Sequence, residues 1–173
     1  MKPLLLLAGV ACGLALGLSG CGLKQNTKAA EAEVDRFHQR WNADDFKAVY
    51  DEAHANFRNS QSADVTIGTL QGVKRNYGAF KSATRRSWGF NSDNGVTDVK
   101  LKYDSTYENG SAVEAFVYRM SGDKALLLSY DIMTPENAKK HEEAENAARE
   151  AKRKADDEKR QAEREARRSP RKP

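Results

Sequence analysis

The side chains with reactive chemistry are few and scattered. Two thiols are present, Cys12 and Cys21. Cys12 lies inside an apolar run, whereas Cys21 stands just past its end, after Leu18, Ser19 and Gly20. A thiolate is a strong nucleophile, and Cys21 has no downstream cysteine with which to form a disulfide or a cysteine metal site. The histidines, His38, His54 and His141, show no zinc-like spacing with acids or thiols and are expected at the surface. Glu114 and Asp131 fall on neighbouring predicted strands, where a carboxylate pair could do acid–base work or simply be solvated. Arg85 and Arg86 are adjacent, so only one can face a concave side and meet an anion there. No glycine-rich phosphate loop, nucleophile elbow or Cys/His pair occurs.

The elements that position Cys21 are legible. Lys2 supplies a positive start, residues 4–18 are apolar, and polar Lys24, Gln25 and Asn26 follow too soon for a membrane-spanning helix. The tetrapeptide Leu18-Ser19-Gly20-Cys21 resembles the bacterial lipobox. That resemblance implies a signal peptide over 1–20, removal of Cys12 with it, and a diacylglycerol on the Cys21 sulfur. Two or three acyl chains, at about 0.8 kcal/mol per buried methylene, would hold the protein in a membrane essentially permanently. It also implies a bacterial cell envelope location, and Gly22, where an Asp would signal inner-membrane retention, favours the outer membrane facing the periplasm.

Charge divides the rest. Hydrophobic residues make up 39% and charged residues 31% of the chain, with a net charge of +4. Residues 28–134 carry 14 basic and 15 acidic side chains, so the excess positive charge lies in the tail. A basic surface there fits an envelope protein, the cell wall or anionic lipid, and no nucleic-acid motif accompanies it.

After a short tether over 21–27, Ala30, Val34, Phe37 and Trp41 form one apolar helical stripe. A second helix carries Phe46, Val49, Tyr50, Ala53 and Phe57, with Asp44 as its cap. A third carries Ile67, Leu70, Val73 and Tyr77, with Asp64 as cap and Gly78 as stop. The period then becomes two. Thr84, Arg86, Trp88 and Phe90 share one face of a first strand, and 91–95 is a turn. Val99, Leu101, Tyr103 and Tyr107 share one face of a second. Asn109-Gly110 reads as a hairpin turn with positive φ at both positions. A third strand follows, over about 112–120, and a fourth, apolar enough to be central, over 125–133. The expected fold class is α+β, with three N-terminal helices on a curved four-stranded antiparallel sheet and a long, solvated, charged C-terminal helix.

This order resembles the small exported domains of unknown function related to the nuclear-transport-factor-2-like, or cystatin-like, fold. The resemblance spans 28–134. It rests on Phe37 to Trp41 with Asp44-Asp45-Phe46, Tyr77-Gly78-Ala79-Phe80, Tyr107-Glu108-Asn109-Gly110 with Glu114, and Gly122-Asp123-Lys124 leading to Ser129-Tyr130-Asp131-Ile132. These pieces are structural and carry no catalytic motif. A cone of this kind offers a possible pocket at Arg86, Trp88, Tyr103 and Phe116, or a plain hydrophobic core in the same place. No cofactor and no metal ligand set is expected. The tail, 135–173, has no large apolar residue, so it lacks the a and d positions of a coiled coil. It reads as one solvated helix capped by Thr134 and ending in a disordered stretch over 169–173, or alternatively as a wholly disordered tail, with a basic tip around Arg164, Arg167, Arg168, Arg171 and Lys172. The leading expectation is a non-catalytic binding or interaction module on a lipid anchor. A small-ligand-binding or enzymatic cone and a periplasmic inhibitor or immunity lipoprotein are the alternatives.

Overall fold

The computed structural model describes residues 19–168. The predicted signal segment through Leu18, and the last residues of the basic tip, lie outside the described residues. The elements run α1 (Ser19–Asn42), α2 (Phe46–Asp51), α3 (Ala55–Ser60), α4 (Ala63–Tyr77), β1 (Phe80–Asp93), β2 (Val96–Tyr107), β3 (Gly110–Ser121), β4 (Lys124–Met133) and α5 (Pro135–Arg168). Helices precede a four-stranded antiparallel sheet in the order β1-β2-β3-β4, and a long C-terminal helix follows.

The apolar stripe of α1 lies on the sheet. Ala30, Val34, Phe37 and Trp41 are buried with Phe46, Leu101, Tyr107 and Phe116 in one core. Trp41 Nε1 donates to Gly78 O at 3.0 Å, and its ring lies 5.6 Å from Phe46 and 5.5 Å from Tyr107. Gly78 ends α4 with φ 77°, and a Cβ there would come within 2.8 Å of Glu108 Cβ. Only glycine therefore fits this stop.

Several boundaries differ from expectation, each for a local reason. The predicted tether is helical, because α1 runs unbroken from Ser19. The second predicted helix is two. The chain turns at Glu52 and Ala53, His54 N donates to Leu127 O of β4 at 2.9 Å, and His54 Nδ1 accepts from Asn56 N to start α3. Asp45 and not Asp44 caps α2, accepting from Ala48 N at 3.1 Å, while Asp44 takes φ 59°. Ser62 caps α4, and Asp64 sits in its first turn. The tight Asn-Gly turn with two positive φ angles is Asn94-Gly95, at 49° and 79°, and not Asn109-Gly110. Tyr107 pairs with Gly110, so the second hairpin turns on Glu108 and Asn109. Their amides are held by Ala79 O and Tyr77 O at 2.8 and 2.9 Å. β4 is an edge strand, not a central one. Its apolar character comes from α1 and α3 packing against it.

The C-terminal helix starts as predicted, with Thr134 Oγ1 accepting from Asn137 N at 3.3 Å. Its first turns are not free of the domain. Ala138 is buried, α5 lies against β3, and Val113 is buried on that same strand. Glu142 pairs with Arg86 at 3.2 Å and Lys102 at 3.6 Å. Beyond Asn146 every described side chain of α5 is exposed.

Candidate functional site

The buried chemistry gathers on Glu114. Strand alternation puts Glu114, Phe116 and Tyr118 on the helix-facing side of β3, where register sets Glu114 opposite Tyr103, and Phe116 opposite Leu101 and Tyr130. Ser105 and Tyr107 come up from β2 on the same face. From α1, His38 lies four residues after Val34 and so falls on the buried stripe. Glu114 is 0% exposed and His38 4%.

Four donors converge on this carboxylate. Tyr107 Oη donates to Glu114 Oε1 at 2.7 Å and Tyr130 Oη to the same oxygen at 2.9 Å. His38 Nε2 lies 2.9 Å from Oε2, and Ser105 Oγ donates to that oxygen too. An ionised carboxylate only accepts, so the His38 nitrogen facing it carries a proton. The His38 ring stacks on Phe80, with centroids 3.7 Å apart and planes within 4°. No buried side-chain nitrogen or oxygen among the described residues lacks a partner.

Electrostatics follow from this packing. Burial acts to raise the Glu114 carboxyl, but the bonds and charge of His38 and the hydroxyls of Ser105 and Tyr107 outweigh it, and the net direction is down. Burial pushes the Tyr107, Tyr118 and Tyr130 phenols up, and the nearby Glu114 charge pushes the same way. The phenols therefore stay protonated and keep donating. With two bonds on each oxygen, Glu114 has no lone pair left for a substrate proton. The cluster ties α1 to β2, β3 and β4.

This site was not legible as a site in the sequence. His38 is no surface residue, and Glu114 is no solvated strand residue. Asp131 is opposite Ala115, on the other face from Glu114, so the two carboxylates form no pair. The four residues expected to line a pocket are not gathered into one. Tyr103 and Phe116 pack in the core with ring centroids 6.1 Å apart. Arg86 shares the α5 side with Thr84, where Asp104 and Glu142 pair with it, and it is the extra residue of a β-bulge between Arg85 and Ser87. The bulge also moves Trp88 and Phe90 to the face opposite that of Thr84. They sit across from Leu101 and Val99 but are left exposed. Arg85 pairs with Glu31 of α1.

Open grooves surround the core. One of about 510 Å³ lies between α1 and the β3–β4 turn, with Phe37, Val49, Tyr118 and Leu127 at its floor and Glu33, Arg36 and Glu52 at its rim. A second, of about 380 Å³, is lined by Asp35, His38, Gln39, Asn42, Phe80 and Lys81. Among the described residues no group of acids, histidines or cysteines could hold a metal ion, and no helix is long and apolar enough to cross a membrane. Ser19, Gly20 and Cys21 lie in the first turn of α1; Leu18 lies outside the described residues.

These features define a class, an α+β domain whose helices and sheet are tied through one buried, fully bonded carboxylate. No family model matches the chain, and no curated protein matches it.

Proposed function

We propose that the chain is a lipid-anchored envelope lipoprotein whose small domain is a non-catalytic interaction module. The observation that carries this reading is the tetrapeptide Leu18-Ser19-Gly20-Cys21 at the end of an apolar run. Cys21 carries the lipid and becomes the first residue once 1–20 are removed, and Gly22 directs the protein to the outer membrane, facing the periplasm. The domain over 28–134 takes a curved-sheet arrangement akin to the nuclear-transport-factor-2-like fold. Helices before an antiparallel meander, with α1 on its inner face, support this. α5 on the other face is an addition to that pattern.

Non-catalytic binding is favoured by Glu114, whose four lone pairs are all taken. Basic residues near the end of α5 suit anionic lipid, cell wall or an acidic envelope protein. Small-ligand binding is the second reading, favoured by the groove of about 510 Å³ with its apolar floor and charged rim. The test of the anchor is metabolic labelling with palmitate, followed by membrane fractionation. Label and membrane association should both be lost in Cys21→Ala while the melting temperature stays the same. Label persisting in that variant overturns the proposal.

A further inference from the structure

Four large hydrophobic residues are markedly exposed among the described residues, and three of them, Trp88 at 53%, Phe90 at 46% and Val96 at 43%, sit on the β1–β2 hairpin. The Trp88 and Phe90 rings stack with centroids 6.1 Å apart. Helix α1 runs antiparallel to β1 above them. His38 stacks on Phe80 and Asn42 bonds Phe80, whereas Glu31, further back along α1, pairs with Arg85, further along β1. From Glu31 back to Cys21 is about 15 Å of helix. From Arg85 on to Phe90 is about 17 Å of strand. Cys21 therefore comes level with the exposed aromatics. α5 starts near the end of β4, passes Arg86 through Glu142 and then the Trp88 stretch through Arg149, so its later turns head toward the same end.

We infer that the exposed aromatic face of the outer half of the β1–β2 hairpin is a membrane-contact surface, with Trp88 and Phe90 seated among the lipid head groups beside the anchor. This rests on the lipid-anchor reading. A bilayer is the fitting occupant because the patch lies level with the residue that would be acylated. Its chemistry also matches: Trp settles at the membrane–water interface, and α5 brings cationic side chains to the same end. The patch is small and open and needs no shaped partner, and Lys100 and Lys102 lie on the opposite, α5-facing side of the same hairpin.

The experiment uses the full chain purified from a membrane fraction and reconstituted into phosphatidylethanolamine–phosphatidylglycerol vesicles. Two tryptophans are present, and Trp41 is in the core. The difference between wild type and Trp88→Phe isolates the Trp88 emission. Bromine-labelled lipids should quench it at least twofold and shift it to the blue, with protection from aqueous iodide. Phe90→Asp should reduce the quenching without changing the melting temperature. Mass spectrometry of the same sample reads the acyl chains on Cys21. Acylated protein with Trp88 still open to iodide overturns the inference alone. Absence of acyl chains, with Trp88 quenched on added vesicles, overturns the anchor and supports the surface. Failure of both overturns both.

Discussion

Glu114 has its consequences at the scale of single residues. It is a fully buried charge, held by four donors from three other elements. Removing it strands those donors. Glu114→Ala should cost about 3–5 kcal/mol in urea unfolding, the range for breaking a buried charged network. Glu114→Gln keeps the volume and part of the bonding and should cost about 1–3 kcal/mol. Equal stability of both variants to wild type would mean that water reaches the site. Acid should act through the same group. The folded carboxyl is held below its ordinary value of 4.5, so the folded state binds this proton less readily than the unfolded chain. Its stabilisation is fully present above that value and is lost as pH falls through the lower folded value. Asp98, held low by its bond to the Arg119 guanidinium, adds to the same slope. Unfolding free energy measured from about pH 7 down to about pH 3 should therefore fall more steeply for wild type than for Glu114→Gln; parallel curves would remove Glu114 from the acid response. Part of this was present in the sequence as a pattern. Glu114 alternates with Phe116 and Tyr118, Ser105 fills the gap between Tyr103 and Tyr107, and His38 extends the stripe through Val34. A carboxylate, a hydroxyl and an imidazole on three buried faces are the signal. Their meeting depends on strand register and helix placement, which no local spacing specifies.

Elements were more legible than the joints between them. Period-two patterns located all four strands and period-3.6 patterns located α1 and α4, most plainly where a face is buried, as in α1, β2 and β3, whereas α5 was legible from its cap and its charged composition. The bulge at Arg86 carries no residue signal, and it reassigns the face of Trp88 and Phe90. The choice between two Asn-Gly pairs was settled by tertiary bonds. Asn94-Gly95 is free to take the two-residue turn, while the turn beside Gly110 is held by Tyr77 O and Ala79 O. The split into α2 and α3 likewise follows from His54 reaching Leu127 across the chain. Helix α5 divides in the same spirit into a docked start and an exposed remainder. Deleting 150–173 should leave the melting temperature unchanged, since every described side chain there is exposed. Deleting 135–173 removes the buried Ala138, uncovers Val113 and frees Arg86 and Lys102 from Glu142. Loss of the burial of that Ala together with exposure of the Val corresponds to about 2 kcal/mol. A loss of that size only in the longer deletion would place the end of the folded domain within α5. Equal melting of both would show that the helix rests on the sheet without stabilising it.

At the scale of the whole molecule, the decisive feature is the continuity of α1. The sequence suggested a loose tether over 21–27, since Gly22 and a run of polar residues precede the apolar stripe. The helix instead runs from Ser19 to Asn42, with Thr27 Oγ1 donating to Leu23 O at 2.9 Å. Leu23, Asn26 and Thr27 are half-buried, so this stretch rests on the domain instead of swinging clear of it. From Cys21 to Ala30, the first buried residue of the stripe, is about 14 Å of helix. An anchor joined through such a helix would fix the domain's tilt as well as its distance from the bilayer. A flexible tether of the same length would fix distance alone. The two are separated by inserting Gly-Gly-Ser-Gly after Lys24. The domain core should be untouched, because every fully buried residue of α1 lies beyond the insertion, and the melting temperature should stay the same. Rotation of the domain on vesicles should become faster and wider, read as a drop in the residual anisotropy of a dye placed at Asp123 through Asp123→Cys. If the wild-type chain already shows that low residual anisotropy, α1 unwinds near the membrane and its length sets only reach. If the insertion instead lowers the melting temperature, the first turns of α1 contribute to the fold, and the domain begins at the anchor itself.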